Sequence, residues 1–318
     1  MYAVGIDVGG TQIKGGVVRE DGAILRFRSV PTPREGGEAV FEALLDLVRS
    51  LLTNGEGVAV VGVGVPGWVD GRTGVVGHAP NLGWRNVPLR DRLARALPLP
   101  VAVENDANVA LLGELWRGAA RGAEWVLFFA LGTGVGGAIL AEGKLLRGAR
   151  GFAGEFGHIP VRREGGDLCS CGKRGCLEAE ASGRAIARRG HEAAETGRSP
   201  YLAEVLAREG RISARHVAEA ASRGDAAARE IFGQAAEALA FVVGGLVNAL
   251  NPERVVVGGG VSRAGEVLFA PLREALPRYA LPEFLSPDLL LPGEHPEDAG
   301  VLGAAYLAFT EGRGARGL

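Results

Sequence analysis

Two glycine turns, each set between apolar runs, constrain this chain more than any other feature. Gly9-Gly10-Thr11 divides the run Tyr2–Val8 from Ile13–Val18, and Gly132-Thr133-Gly134-Val135-Gly136-Gly137 divides Trp125–Leu131 from Ala138–Ala141. Glycine takes φ > 0 without strain and carries no Cβ, so such a bend lets backbone N–H groups approach an anion. Each bend also reads as an ordinary hairpin, for which Asp7-Val8-Gly9-Gly10 is well suited. That the pattern occurs once in each half points to a duplication. The chain holds 51 glycines in 318 residues, about twice the usual ~7% and with no collagen period. Bare backbone is needed in many places.

At roughly 150 residues per domain, 318 residues make two domains. Ile24–Val30 completes a β-meander, Glu38–Leu52 has helical spacing, and Val58–Val65 is a buried-type strand ending at Pro66-Gly67. A glycine-rich loop containing Pro80-Asn81-Leu82 follows, then a strand at Val101–Val103 and a helix from Asn105 to about Trp116. After the second turn come a Gly/Cys-rich insert near 148–176, an Ala-rich helical stretch to about Ala249, and a strand Arg254–Val257 leading into Gly258-Gly259-Gly260. Helices near 264–276 and 299–310 close the chain. The expected fold class is α/β. The expected division is a small N-terminal α/β domain at 1–117 and a larger C-terminal α/β domain at 118–318, with the last helix packing back on the first.

The balance of 35 basic and 37 acidic groups, net −2, lacks the excess that a phosphate backbone requires, so no nucleic-acid partner is expected. The N-terminus has no basic leader, its first cation being Lys14. The longest uncharged stretch, Trp125–Ala141, reads as two strands and a turn rather than a membrane span. A cytoplasmic location without membrane contact is expected. The three cysteines, Cys169, Cys171 and Cys176, are odd in number and crowded together, which suits a metal site better than disulfides. With His158 they supply the four ligands of a closed tetrahedral zinc site, structural because no position is left open. The bland reading is three free thiols and an unrelated histidine. Glu155 and Glu178 flank the set, and the imidazole nitrogen not on zinc is left for a neighbour or a ligand hydroxyl.

Phosphate chemistry fits the turns. Asp7 can bind the water shell of Mg²⁺, and the Thr11 hydroxyl adds a donor. Residues 132–137 match G-x-G-x-x-G, but the apolar return that follows is too short for the helix a dinucleotide fold requires. No P-loop or protein-kinase motif occurs. Gly258-Gly259-Gly260 precedes a helix and reads either as a nucleotide seat or as plain strand-to-helix turn chemistry. Asp106 stands between Val101–Val103 and the following helix; it reads as a helix cap, or as the carboxylate that accepts a proton from an attacking hydroxyl in phosphoryl transfer.

These residues resemble the ROK sugar kinases of the actin-like ATPase superfamily. The resemblance rests on Asp7-Val-Gly-Gly-Thr11, Pro80-Asn-Leu82, Glu104-Asn-Asp-Ala-Asn108, Leu131-Gly-Thr-Gly-Val-Gly-Gly137, Gly154-Glu-Phe-Gly-His158, Cys169-Ser-Cys-Gly-Lys-Arg-Gly-Cys-Leu-Glu178 and Gly258-Gly-Gly-Val-Ser262. It spans about residues 4–305. It implies two ribonuclease-H-like domains of the actin/hexokinase type with an interdomain cleft, and an ATP-dependent hexokinase, foremost a glucokinase. Asp106 is then the general base for the sugar 6-hydroxyl. Gly67, Asn81, Asn105, Glu155, His158 and Glu178 line the sugar with it. Asp7, Gly9, Gly10, Thr11, Lys14, Gly132, Thr133, Gly134, Gly258 and Gly259 lie along ATP-Mg²⁺. Structural zinc and a homodimer or homotetramer are implied too. Phe156 and Glu180 depart from the family pattern, where an Ile and an aromatic are frequent.

Other hexoses, namely mannose, fructose and the N-acetylated hexosamines, remain alternatives to glucose. A sugar-sensing regulator would carry a DNA-binding extension before Asp7, for which no room is expected. A nicotinamide-dependent dehydrogenase would rest on the 132–137 glycines alone.

Overall fold

The computed structural model describes residues 1–52 and 57–311. Two compact units divide it: Met1–Ala123 with Ala138–Ala153 and the chain from Glu297 onward, and Glu124–Gly137 with Gly154–Pro296.

The first unit is built on a five-stranded sheet. β1 (Tyr2–Val8), β2 (Gln12–Arg19) and β3 (Ile24–Pro31) form the antiparallel meander that the apolar runs predict. α1 (Glu38–Leu52) follows, and β4 (Val58–Val65) returns parallel to β1. The stretch read as a glycine-rich loop holds a small antiparallel sheet instead, made of β5 (Trp68–Asp70), β6 (Val75–Ala79) and β7 (Trp84–Pro88), and then α2 (Leu89–Ala96). These strands are three to five residues long and lack a clean apolar alternation, so only their pairing reveals them. β8 (Val101–Asn105) lies parallel to β4, and α3 (Asp106–Arg117) starts at its end. The strand order β3-β2-β1-β4-β8 brings the carboxyl ends of β1, β4 and β8 to one edge, the position where open α/β sheets bind ligands.

The second unit repeats the parallel part of this plan. β9 (Val126–Leu131) runs into the second glycine turn, and β10 (Val135–Ala141) begins three residues ahead of the apolar return at Ala138. From Ala138 to Ala153 the chain belongs to the first unit, and there β11 (Lys144–Leu145) pairs antiparallel with the end of β10 across Glu142-Gly143, whose positive φ angles of 52° and 69° suit a tight hairpin. The Ala-rich stretch resolves into α4 (Leu177–Ala181), α5 (Gly183–Glu195), α6 (Pro200–Glu209), α7 (Ala214–Ser222) and α8 (Ala226–Leu250). Ser182, Ser199, Ser213 and Asp225 set four of the starts, each side chain accepting a first-turn N–H. α8 is long and apolar enough to cross a membrane, yet Phe232, Leu239, Val243 and Val247 are buried inside the unit, as in a core helix. β12 (Arg254–Gly258), α9 (Glu266–Ala275) and β13 (Leu290–Pro292) complete it, with β9, β12 and β13 parallel.

The last described helix belongs to the first unit. α10 (Ala299–Glu311) packs on β1, β4 and α3, burying Val301, Leu302 and Phe309 against Ala3, Val18 and Val60, and Leu307 against Val109 and Leu112. The contact is backbone-close: a Cβ on Gly62 would lie 1.8 Å from the Ala304 carbonyl oxygen, and one on Gly303 1.6 Å from that of Val109. α10 packs back on the first unit as expected, while the division departs from a single boundary at 117/118 in giving residues 118–123 and 138–153 to the first unit.

Candidate active site

In the first unit, Gly9 N–H donates to the Gln12 carbonyl at 2.9 Å, closing the turn, while Gly10 and Thr11 are exposed. A Cβ on Gly10 would stand 3.9 Å from Asn81 Cβ, so the turn and Asn81 are neighbours. Asp7, at the end of β1, is half-buried; burial and then the charge of Asp106 push its carboxyl up to about 6, against the pull of Lys14. Lys14 Nζ donates to the Glu297 carbonyl at 3.0 Å.

Asp106 opens α3, but Asn105 is the residue that caps it. Asn105 Oδ1 accepts from Ala107 N (2.9 Å) and Asn108 N (3.1 Å), while its Nδ2 donates to the Gly67 carbonyl (3.1 Å) and to Asp106 Oδ1 (3.0 Å). Ala107 N–H also donates to Asp106 Oδ1 at 2.9 Å. Oδ1 is thereby fixed, and Oδ2 has no hydrogen-bond partner among the described residues. Burial raises the Asp106 carboxyl, opposed by these donors. Gly67 adopts φ +94°, and a Cβ there would lie 2.2 Å from the His78 carbonyl oxygen, so glycine is required. Gly64 plays a related part on β4, since a Cβ would meet Val109 at 2.4 Å and hold the start of α3 off the sheet.

In the second unit, the turn after β9 is closed by Gly132 N–H donating to Gly134 O at 3.0 Å. The Gly132 carbonyl accepts from Gly183 N–H at 2.9 Å, and that of Thr133 from Arg184 Nε at 3.2 Å. Gly259, with φ +85°, presses against the end of β9: a Cβ would lie 2.5 Å from the Leu131 carbonyl oxygen. Gly258 and Gly259 are therefore brought beside Gly132–Gly134. Next to Gly260 opens a groove of about 610 Å³ between α7 and the turn that carries Val261 and Arg263.

The metal-type cluster also lies in this unit. The ligand atoms of His158, Cys169, Cys171 and Cys176 are all within 4.8 Å of one another, with Cys169 Sγ 3.6 Å from His158 Nδ1 and Cys171 Sγ 3.7 Å from Cys176 Sγ. Gly172 and Gly175, at φ +86° and +73°, wrap the loop. His158 turns its other nitrogen, Nε2, toward Glu155 Oε2 at 3.8 Å. Glu178 is more occupied than a residue that only lines a sugar. Oε2 accepts from Val135 N (3.1 Å) and Oε1 from Ser170 Oγ (2.6 Å), so it joins the second glycine turn to the cysteine loop.

Three features escaped the sequence. Glu104 is fully buried and paired with Arg147, 43 residues away. Glu180, one of the two departures from the family pattern, is buried and met by Arg162 Nε at 3.1 Å and by Arg189. The Ser170–Glu178 contact is the third. Glu104 carried a signal by standing next to Asn105-Asp106, and Glu180 by its departure from the family pattern, but neither pointed to its arginine partner.

Two parallel strand triplets, each entered through a strand that leads into a glycine turn, define an α/β protein of the actin/hexokinase type. The ROK family profile matches residues 3–311, and the chain belongs to the ROK family. It is 41% identical over 311 residues to a glucokinase of Halalkalibacterium halodurans, covering 96% of this chain and 94% of that protein. It is 41% identical over 306 residues to a glucokinase of Thermotoga maritima, covering 96% of each. Among solved structures it matches a ROK family glucokinase from Streptomyces griseus in complex with glucose and AMPPNP, with a TM-score of 0.87, 38% identity, and coverage of 97% of this chain and 99% of that one.

Proposed function

We propose that this protein is an ATP-dependent glucokinase that transfers the γ-phosphoryl group of ATP to the 6-hydroxyl of glucose. The observation that carries the reading is Asp106: one carboxylate oxygen is fixed by Asn105 and Ala107, the other has no hydrogen-bond partner among the described residues, and the residue follows the edge where Asp7 and the first glycine turn lie. A carboxylate raised by burial is a better proton acceptor than an exposed one. Asp106 Oδ2 takes the proton of the 6-hydroxyl as its oxygen bonds to the γ-phosphorus, the bond from that phosphorus to the β-bridging oxygen breaks, and ADP leaves. The proton on Asp106 then passes to solvent.

On the family pattern, Gly9, Gly10, Thr11, Lys14, Gly132, Thr133, Gly134, Gly258 and Gly259 are the nucleotide set. The groove beside Gly260 is of a size to take the adenosine end. Gly67, Asn81, Asn105, Glu155, His158 and Glu178 are the sugar set, Glu178 with oxygens it shares with Val135 and Ser170. Asp7 fits a role toward Mg²⁺, because its charge is disfavoured by burial and by Asp106 and a cation relieves both. Mg²⁺, when bound, neutralises phosphate charge. The cysteine cluster fits zinc: S–Zn bonds of about 2.3 Å put tetrahedral sulfurs about 3.8 Å apart, close to the 3.7 Å between Cys171 and Cys176. Four protein ligands make that zinc structural. We place the enzyme in the cytoplasm as a homodimer or homotetramer, on the family pattern.

A panel of glucose, mannose, fructose, N-acetylglucosamine and N-acetylmannosamine with ATP tests the reading, and glucose should give the highest kcat/KM. Asp106→Ala should lower kcat by about 10²–10⁴-fold with the melting temperature little changed. Turnover of no hexose, or a clear preference for another, overturns glucokinase; retained kcat in the variant removes Asp106 from the chemistry.

A further inference from the structure

Glu104 occupies a place on β8 where an apolar residue would complete the strand as Val101, Ala102 and Val103 do, yet it is a carboxylate with no exposed surface. Both of its oxygens are engaged. Oε1 accepts from Asn105 N–H at 2.9 Å and from Asn108 Nδ2 at 3.0 Å, and Oε2 accepts from Arg147 Nε at 2.5 Å. Arg147 reaches in from the segment after β11 and donates from its other end to Glu311 Oε1 at 2.7 Å, in the last turn of α10. Gly71 makes the room: a Cβ there would lie 2.5 Å from Glu104 Oε2 and 3.2 Å from Arg147 Nε. A buried charge of this kind persists only with a partner, and Arg147 supplies it.

Helix capping alone does not account for the arrangement, because the Asn105 side chain already caps α3. What Glu104 adds is a clamp across the strand–helix junction, gripping the backbone of Asn105 on one side and the side chain of Asn108, one turn into α3, on the other. Asn105 in turn holds Asp106 Oδ1. We propose that Arg147 and Glu104 form a positioning pair that fixes Asn105 and the first turn of α3, and through them sets the direction of the Asp106 carboxylate. This rests on the reading of Asp106 as the proton acceptor. Neither residue need touch a substrate.

The full-length protein with Arg147→Met, Arg147→Lys and Glu104→Gln tests the pair. A misdirected base lowers the chemical step far more than binding, so Arg147→Met should reduce kcat by about 10- to 100-fold while the KM for glucose stays within about threefold. Arg147→Lys, which keeps a cation on Glu104, should recover most of that loss. Glu104→Gln preserves shape and removes the charge, and should fall with Arg147→Met even if one of the two folds poorly. Hydrogen exchange gives a readout independent of turnover: the amides of Ala107 and Asn108 should exchange at least about tenfold faster in Arg147→Met. Unchanged kcat in both Arg147→Met and Glu104→Gln overturns the proposal, as does a kcat that falls only with the folded fraction. If the unaltered protein phosphorylates no hexose, the glucokinase reading fails and exchange alone decides. Unchanged protection at Ala107 and Asn108 then overturns the pair.

Discussion

Asp7 carries a charge that the fold resists, through burial and through the carboxylate of Asp106. Its carboxyl has an ordinary value of 3.8 and a folded-state value of about 6, so between those values the folded protein keeps a proton that the unfolded chain has lost. Stability from this group is therefore full below about pH 4, declines as the pH rises through 6, and stays reduced above it. A shift of this size corresponds to about 3 kcal/mol at most. Asp7→Asn keeps the shape and removes the charge. Thermal melts without ligand should show the variant more stable at pH 8 by up to about 6–12 °C, with the gap closing toward pH 4. A gap that does not change with pH, or none at all, counts against this account. The residues of the turn were legible in the sequence because their roles follow from local chemistry. The partnership of Asp7 with Asp106 was not, since it depends on β1 and β8 lying on either side of β4.

At the scale of elements, the glycines divide into two kinds. Some make turns, as at Gly67 and Gly172, and these are read from dipeptides such as Pro66-Gly67. Others lie within strands and helices where α10 rests on backbone, as at Gly5, Gly62 and Gly303, and nothing near them in sequence says so. Gly303→Ala would place a methyl 1.6 Å from the Val109 carbonyl oxygen, so α10 and α3 must separate. The expected loss is about 3 kcal/mol or more, at or beyond the upper end of ordinary overpacking, read as a lower urea midpoint. A variant as stable as the parent would show that the helices can shift at little cost. The cysteine loop allows a cleaner test of its metal. Cys171 is exposed while Cys169 and Cys176 are buried, so Cys171→Ser removes a ligand and almost no packing. Purified protein should hold about one zinc per chain, and the variant much less, with a melting temperature lower by roughly 6–12 °C if the metal contributes about 3 kcal/mol. Equal melting temperatures and a metal-free parent would leave the cluster as free thiols. The loop was legible because four ligands sit within 19 residues, whereas β5–β7 were not, because strands this short are defined by partners rather than by pattern.

The whole molecule is interleaved: the first unit begins the chain and, through α10, also ends it. That places a strong demand on the last described helix. Val301, Leu302, Leu307 and Phe309 are at most 7% exposed, and burying side chains of this size contributes about 1.5–3 kcal/mol each, or roughly 6–12 kcal/mol together. A whole domain is stable by only about 5–15 kcal/mol, so α10 alone accounts for most of the margin. Its loss would also uncover Ala3, Val18, Val60 and Val109 and take Glu311 from Arg147. The chain ended at Asp298 should therefore lack a folded first unit, although every strand of that unit's main sheet is still present. Circular dichroism should show no cooperative melt for that unit, and gel filtration should show an expanded or aggregated species. The full glycine turn at Gly9-Gly10-Thr11 and the whole Glu104–Asp106 junction remain in the truncated chain, so activity should vanish with the sites intact in sequence. A truncated protein that melts cooperatively within a few degrees of the parent would mean that the sheet of the first unit is closed without α10, and that its tight glycine contacts are consequences of packing rather than its cause.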